Sequence, residues 1–179
     1  MILALDVSTS CIGYALFDEA GEKLLELNYI KFKNKISIFE KLAEFKKKMK
    51  FLEEVDVQQI AIEEPLKKFA GKYSSASTIA ILNFFNGMIS ACVYEMFGIE
   101  PIYYNVNTAR KTAFPEYKAK RKSAENKHQI WTIVRDREPH IVWKYGPRSH
   151  KLTTENYDMC DAYTVGKCHI NVVNEQKEG

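Results

Sequence analysis

Residues 1–18 read MILALDVSTSCIGYALFD, and the fold turns on how that stretch is interpreted. Two apolar runs, Ile2 to Val7 and residues 12–18, flank the polar turn Ser8-Thr9-Ser10, which is the pattern of a hairpin. Inside the first run stands a carboxylate, Asp6. Strands disfavour Asp, and an ionised side chain among apolar neighbours costs free energy unless a cation, a metal or hydrogen bonds compensate it. Asp6 therefore calls for a partner elsewhere in the chain.

Working outward, Glu19-Ala20-Gly21 makes a second turn before residues 23–32, so the chain opens with a meander of three antiparallel strands. Over residues 36–52 the apolar positions Ile38, Phe39, Leu42, Phe45, Met49 and Leu52 recur at helical spacing. Residues 57–63 predict a strand, 75–97 a helix apolar nearly all round, 101–106 a short strand and 107–113 a short helix or turn. Helices follow at 123–137 and 154–169, separated by a loop at 138–152. Strands and helices in this order predict an α/β fold: a five-stranded mixed sheet, with helices on both faces. If the strand ending at Glu63 runs parallel to the first, the two lie side by side at the centre, where open α/β sheets bind ligands.

The bulk composition is that of one globular domain, placed at residues 1–172 with a frayed tail at 173–179: the 179 residues are 46% hydrophobic and 27% charged. A net charge of +3 says little about nucleic acid, so the distribution of charge matters more than its sum. Cys11, Cys92, Cys160 and Cys168 form no CxxC pair, consistent with a reducing, cytoplasmic setting. Cys168 beside His169 lacks a second Cys/His cluster, so no zinc site is expected.

Three further acids stand where surface patterning does not require them. Glu63 ends the run Ile60-Ala61-Ile62, with Glu64 as the competing choice because neighbouring strand residues face opposite ways. Asp158 and Asp161, in NYDMCDAYTVG, share one helical face, although early helix positions also favour acids through the macrodipole. Carboxylates brought together repel and raise one another's pKa values unless hard cations neutralise them, and all-oxygen ligands favour Mg²⁺ or Mn²⁺ over zinc. Two such ions ~4 Å apart can activate a water and stabilise the leaving oxygen in phosphodiester cleavage.

The pattern Asp6-x-Ser8-x-Ser10-x-x-Gly13-x-Ala15, followed by IAIEEP and DMCDAYTVG, resembles the RuvC-like Holliday junction resolvases of the ribonuclease H-like superfamily. The resemblance implies a ribonuclease H-like fold and two Mg²⁺ ions per active site, for which Mn²⁺ can substitute. It assigns their ligands to Asp6, Glu63, Asp158 and Asp161, and it implies a homodimer that places paired symmetric nicks in four-way or branched DNA. In this reading Cys11 is a bystander in the hairpin turn.

The segment ARKTAFPEYKAKRKSAENKHQIW, residues 109–131, is rich in Lys and Arg. A charge run on its own marks only a solvated face. Beside a nuclease site it implies DNA contact, with Lys111, Lys122 and Lys127 the family's counterparts near the scissile phosphate and Lys120 and Arg121 between them. The loop KKFAGKYSS mixes Lys72 with two aromatics, and the family uses an aromatic here to open the junction. Phe69 is the first choice and Tyr73 the second.

The apolar helix at 79–97 needs more than one buried face. Asn83, Asn86, Gly87, Ser90 and Glu95 interrupt it as a membrane span, so a dimer interface is expected and no membrane. Three other functions fit the sequence less well. A sugar-kinase-like ATPase needs a second domain and further Gly-rich phosphate loops, a debranching nuclease or RNA-processing relative shares the superfamily, and a catalytically silent scaffold does not need all four acids.

Overall fold

The computed structural model describes residues 1–65 and 76–179. Strands β1 (Ile2–Val7), β2 (Cys11–Phe17) and β3 (Leu24–Lys31) form the antiparallel meander, with β4 (Gln59–Glu63) and β5 (Ile102–Tyr104) completing one sheet in the order β3-β2-β1-β4-β5. β1 pairs antiparallel with β2 and parallel with β4, and β4 parallel with β5. β1 and β4 are thus neighbours in the middle of a mixed sheet, as the sequence predicts.

Strand alternation divides the core into two layers. Leu3, Leu5, Ile12, Ile60 and Ile62 face α1 (Ile38–Met49) and α2 (Ala76–Phe97), packing with Phe45, Phe85 and Ile89. Ile2, Ala4, Ala15, Phe17 and Ala61 face the opposite layer with Phe114, Trp131 and Tyr163. That layer is built from α3 (Val106–Ala113), α4 (Ser123–Arg137) and α5 (Glu155–Glu178). α1 opens with a capping box, Ser37 and Glu40 each satisfying the other's backbone N–H.

Two elements differ from the sequence reading. β5 is three residues long, because Asn105 caps α3 by accepting from the Asn107 N–H at 3.1 Å and so starts the helix at Val106. α5 runs on to Glu178, where a helix ending near 169 and a frayed tail from 173 were expected. Its later turns are held by buried His169 and Ile170, and by Asn171, whose side-chain amide donates to the Thr112 carbonyl at 2.8 Å. The polar residues Asn174 to Lys177 are exposed near the end of a docked helix.

Candidate active site

Because β1 and β4 are parallel and in register, Ala4 beside Ala61 and Leu5 beside Ile62, their C-terminal ends bring Asp6 and Glu63 to one end of the sheet. Alternation then puts both on the face covered by α5, with Ala4 and Ala61. This decides between the two glutamates. Glu63 joins the cluster, while Glu64 donates its backbone N–H to the Tyr104 carbonyl at 2.9 Å and borders the same cleft.

The third acid arrives because α5 sits very close to the sheet. Gly13 is the ladder partner of Asp6, and a Cβ there would stand 2.0 Å from the Asp158 carbonyl oxygen. Gly166, farther along α5, leaves no room either: its Cβ would lie 2.3 Å from Phe17 and 3.0 Å from the Ala4 methyl. Two glycines, one on the sheet and one on the helix, therefore set the spacing. Seated this way, α5 delivers Asp161 so that one carboxylate oxygen each from Asp6, Glu63 and Asp161 lies within 4.8 Å of the others. Asp158 stands outside this trio but lines the same cleft of about 380 Å³. Cys11 lies close to Asp158: burial and then the Asp158 carboxylate raise its thiol pKa above the ordinary value.

The acids strain one another electrostatically. Burial, then the charges of Glu63, Asp161 and Asp158, push Asp6 well above the usual carboxylate range. Glu63 is raised as well, by burial and by Asp161, and Asp158 chiefly by burial. Two bases answer them. Arg110 donates from Nη2 to Asp161 Oδ1 at 2.8 Å, and Lys127 Nζ lies 3.2 Å from Asp161 Oδ2. Burial works against the charge on Lys127, but Asp161, Asp6 and Asp158 outweigh it and hold its pKa above the ordinary value.

Arg110 escaped the sequence reading, which took Lys111 from the same Arg-Lys pair. α3 turns Ala109, Arg110 and Ala113 inward, which leaves Lys111 exposed and off the cleft. A helical-phase argument anchored on the two alanines would have chosen Arg110. Its Nε is buried with no hydrogen-bond partner among the described residues. Lys127 is in the site as expected. Lys120, Arg121 and Lys122 are exposed immediately before α4, whose Ser123 and Lys127 line the cleft. Lys72, Phe69 and Tyr73 lie outside the described residues.

The residues present fit hard divalent cations. All four acids offer oxygen, three of them at ligating separation. With five acids, Glu64 among them, and two bases lining one cleft, full ionisation leaves three negative charges uncompensated, more than one divalent cation neutralises. A second cation would be balanced in part by an incoming phosphodiester.

Comparison of the whole structure with solved ones finds the same architecture. Thermus thermophilus RuvC in complex with a Holliday junction substrate superposes with a TM-score of 0.67 at 13% identity, over 97% of this chain and 94% of that one. The chain has the RuvC fold. A second Thermus thermophilus RuvC structure gives a TM-score of 0.63 at 14% identity, covering 98% and 96% of the two chains. The yeast mitochondrial Holliday junction resolvase Ydc2 gives 0.63 at 13%, over 99% of this chain and 80% of the other. No protein-family model and no curated protein matches the sequence.

Proposed function

We propose that this protein is a divalent-metal-dependent endonuclease that resolves four-way DNA junctions by paired nicks. The observation that carries the reading is the convergence of Asp6, Glu63 and Asp161, from β1, β4 and α5, within 4.8 Å at the centre of a RuvC fold. Asp6, Glu63, Asp158 and Asp161 would hold the metal, Mg²⁺ or Mn²⁺. When bound, such ions supply Lewis acidity and an activated water for phosphodiester hydrolysis.

The chain's own residues do the rest. Arg110 fixes one oxygen of Asp161 from within the fold. Lys127, with 37% of its side chain exposed, is placed both to hold Asp161 and to meet an incoming phosphate. Lys120, Arg121 and Lys122 form a basic rim that engages the backbone without reading sequence. Phe69, with Tyr73 as second choice, is the proposed wedge that opens the junction, and Lys72 a backbone contact beside it.

A four-way junction has two-fold symmetry, and the proposed reader is a homodimer formed through α2. By length and composition alone α2 could cross a membrane. Its inner face, however, packs Phe85, Ile89 and Val93 into the sheet, while Phe84 and Tyr94 are more than half exposed on the outer side. One face belongs to the core and the other is free for a second copy.

A nicking assay on an immobile four-way junction, beside a three-way branch and a duplex, tests the function. Wild type with Mg²⁺ or Mn²⁺ should cut the four-way junction in strands of like polarity at symmetric positions, and chelation should stop it. Asp6→Asn, and separately Glu63→Gln, should lower cleavage on the order of 10³-fold with junction affinity retained, because they remove metal ligands and not the basic rim. Loss of affinity together with cleavage would overturn the site assignment. Equal cutting of every branch would replace junction resolution by general debranching.

A further inference from the structure

Between α4 and α5 the chain makes a tight excursion that the reading above leaves without a role. Tyr145 and Leu152 form an isolated antiparallel bridge, closed by the Gly146 N–H donating to the Lys151 carbonyl at 2.8 Å and the His150 N–H donating to the Gly146 carbonyl at 3.0 Å. His150 has φ of 48°, and among the described residues it is the one non-glycine in the left-handed region. Asn156, fully buried in the first turn of α5, clamps the turn's base. Its side chain accepts from the Lys144 N–H at 3.0 Å and donates to the Lys144 carbonyl at 2.7 Å. The turn is thus fastened to the helix two residues before Asp158.

Its charges differ from the paired surface lysines elsewhere. Lys144 is committed, its ammonium donating to the Tyr29 hydroxyl at 2.8 Å and lying 4.4 Å from that ring's centre. Arg148 and Lys151 are exposed at the tip, and among the described residues neither has an acidic partner. Glu155, the nearest acid along the helix, is taken by Lys31. So a turn fastened to the start of α5 carries two exposed cations on a stiff support, with Tyr145 half exposed beside them. The rim next to Lys127 carries the exposed Lys120 to Lys122.

We propose that the turn at 144–151 is a second DNA-backbone clamp, in which Arg148 and Lys151 grip phosphates apart from those met by Lys120, Arg121 and Lys122. It rests on the reading of the protein as a DNA nuclease and adds a second contact for a junction arm. The turn's fastening to Asn156, in the first turn of the helix that carries Asp158 and Asp161, ties the two cations to the element that delivers those acids. Phosphate contacts of this kind change affinity and its salt dependence, not the chemistry.

The test is the salt dependence of four-way junction binding for wild type and for Arg148→Ala/Lys151→Ala. Each lost phosphate contact lowers the slope of log affinity against log salt by about 0.9. The double variant should therefore lose about 1.8 from the slope and roughly tenfold in affinity near 0.15 M salt, with the cleavage rate at saturating protein unchanged. Arg148→Lys/Lys151→Arg should restore the slope. Lys47→Ala/Lys48→Ala, which removes the same charge from the last turn of α1, should leave it close to wild type. An unchanged slope in the folded Arg148/Lys151 variant, or an equal loss in the α1 control, overturns the clamp while junction cleavage by wild type still stands. Wild type that neither binds nor cuts junctions overturns both readings.

Discussion

The two long helices on opposite faces of the sheet, α5 and α2, show two ways of treating an apolar helix. α5 is covered by its own chain: Met159, Cys160, Ala162, Tyr163, Val165 and Cys168 are buried in succession, under α3 and α4 on one side and the sheet on the other. α2 is covered on one face only, and Ile81, Phe84 and Tyr94 are half exposed or more. The glycines mark the same contrast. Gly13 opposite α5 has backbone within 2.0 Å of where a Cβ would be, whereas Gly87 on α2 has nothing within 4 Å. One helix is finished by folding, and the other keeps an exposed apolar face. The difference teaches that the acids sit where packing leaves no freedom, and that the proposed assembly falls to the face where packing is incomplete.

The sharpest attempt to break this contrast is Gly13→Ala. A methyl there has to push α5 off the sheet at Asp158, so stability should fall by about 2 kcal/mol or more. Junction cleavage should fall around 10²-fold, since a displacement near 1 Å of a reacting group costs that much. Thermal melts and the nicking assay read both, and wild-type values in both would mean that α5 is not seated by this glycine. Next in size is Phe84→Glu, a charge placed on the outer stripe of α2. It should leave the melting temperature of the monomer unchanged and weaken self-association about 100-fold in analytical ultracentrifugation. An unaltered dimer would move the interface off this stripe. The smallest effect is expected from Gly87→Ala, in dilute protein where dimer is not populated. Replacing an exposed mid-helix glycine should raise stability by about 0.5–1 kcal/mol, or about 1–4 °C. A drop would show that this face is already covered within the chain.

The acids were legible in the sequence because a carboxylate at the end of an apolar run is an anomaly along the chain itself, visible at Asp6 and Glu63 without any third dimension. The choice of Glu63 over Glu64 needed to know which face α5 covers. Arg110 against Lys111 required the rotational phase of a helix of only eight residues. The nearness of Cys11 to Asp158 arises only across the gap between β2 and α5. The tail was misjudged for a related reason: residues 174–178 are polar, and what keeps them helical is the anchoring of His169, Ile170 and Asn171 upstream. His169 in particular is tied on both ring nitrogens, to Tyr104 at 2.9 Å and Gln59 at 2.6 Å, which no local pattern predicts.

The acidic cluster draws on positions 6, 63 and 161, so its last member enters with the final helix. During synthesis the amino-terminal meander and β4 leave the ribosome long before α5, and a nascent chain lacking those last residues holds two acids that cannot form the cluster. On the proposed reading, the capacity to cut DNA would then be withheld until α5 has emerged and docked. A chain stopped anywhere before residue 161 would hold two of the three clustered acids and could not assemble the site.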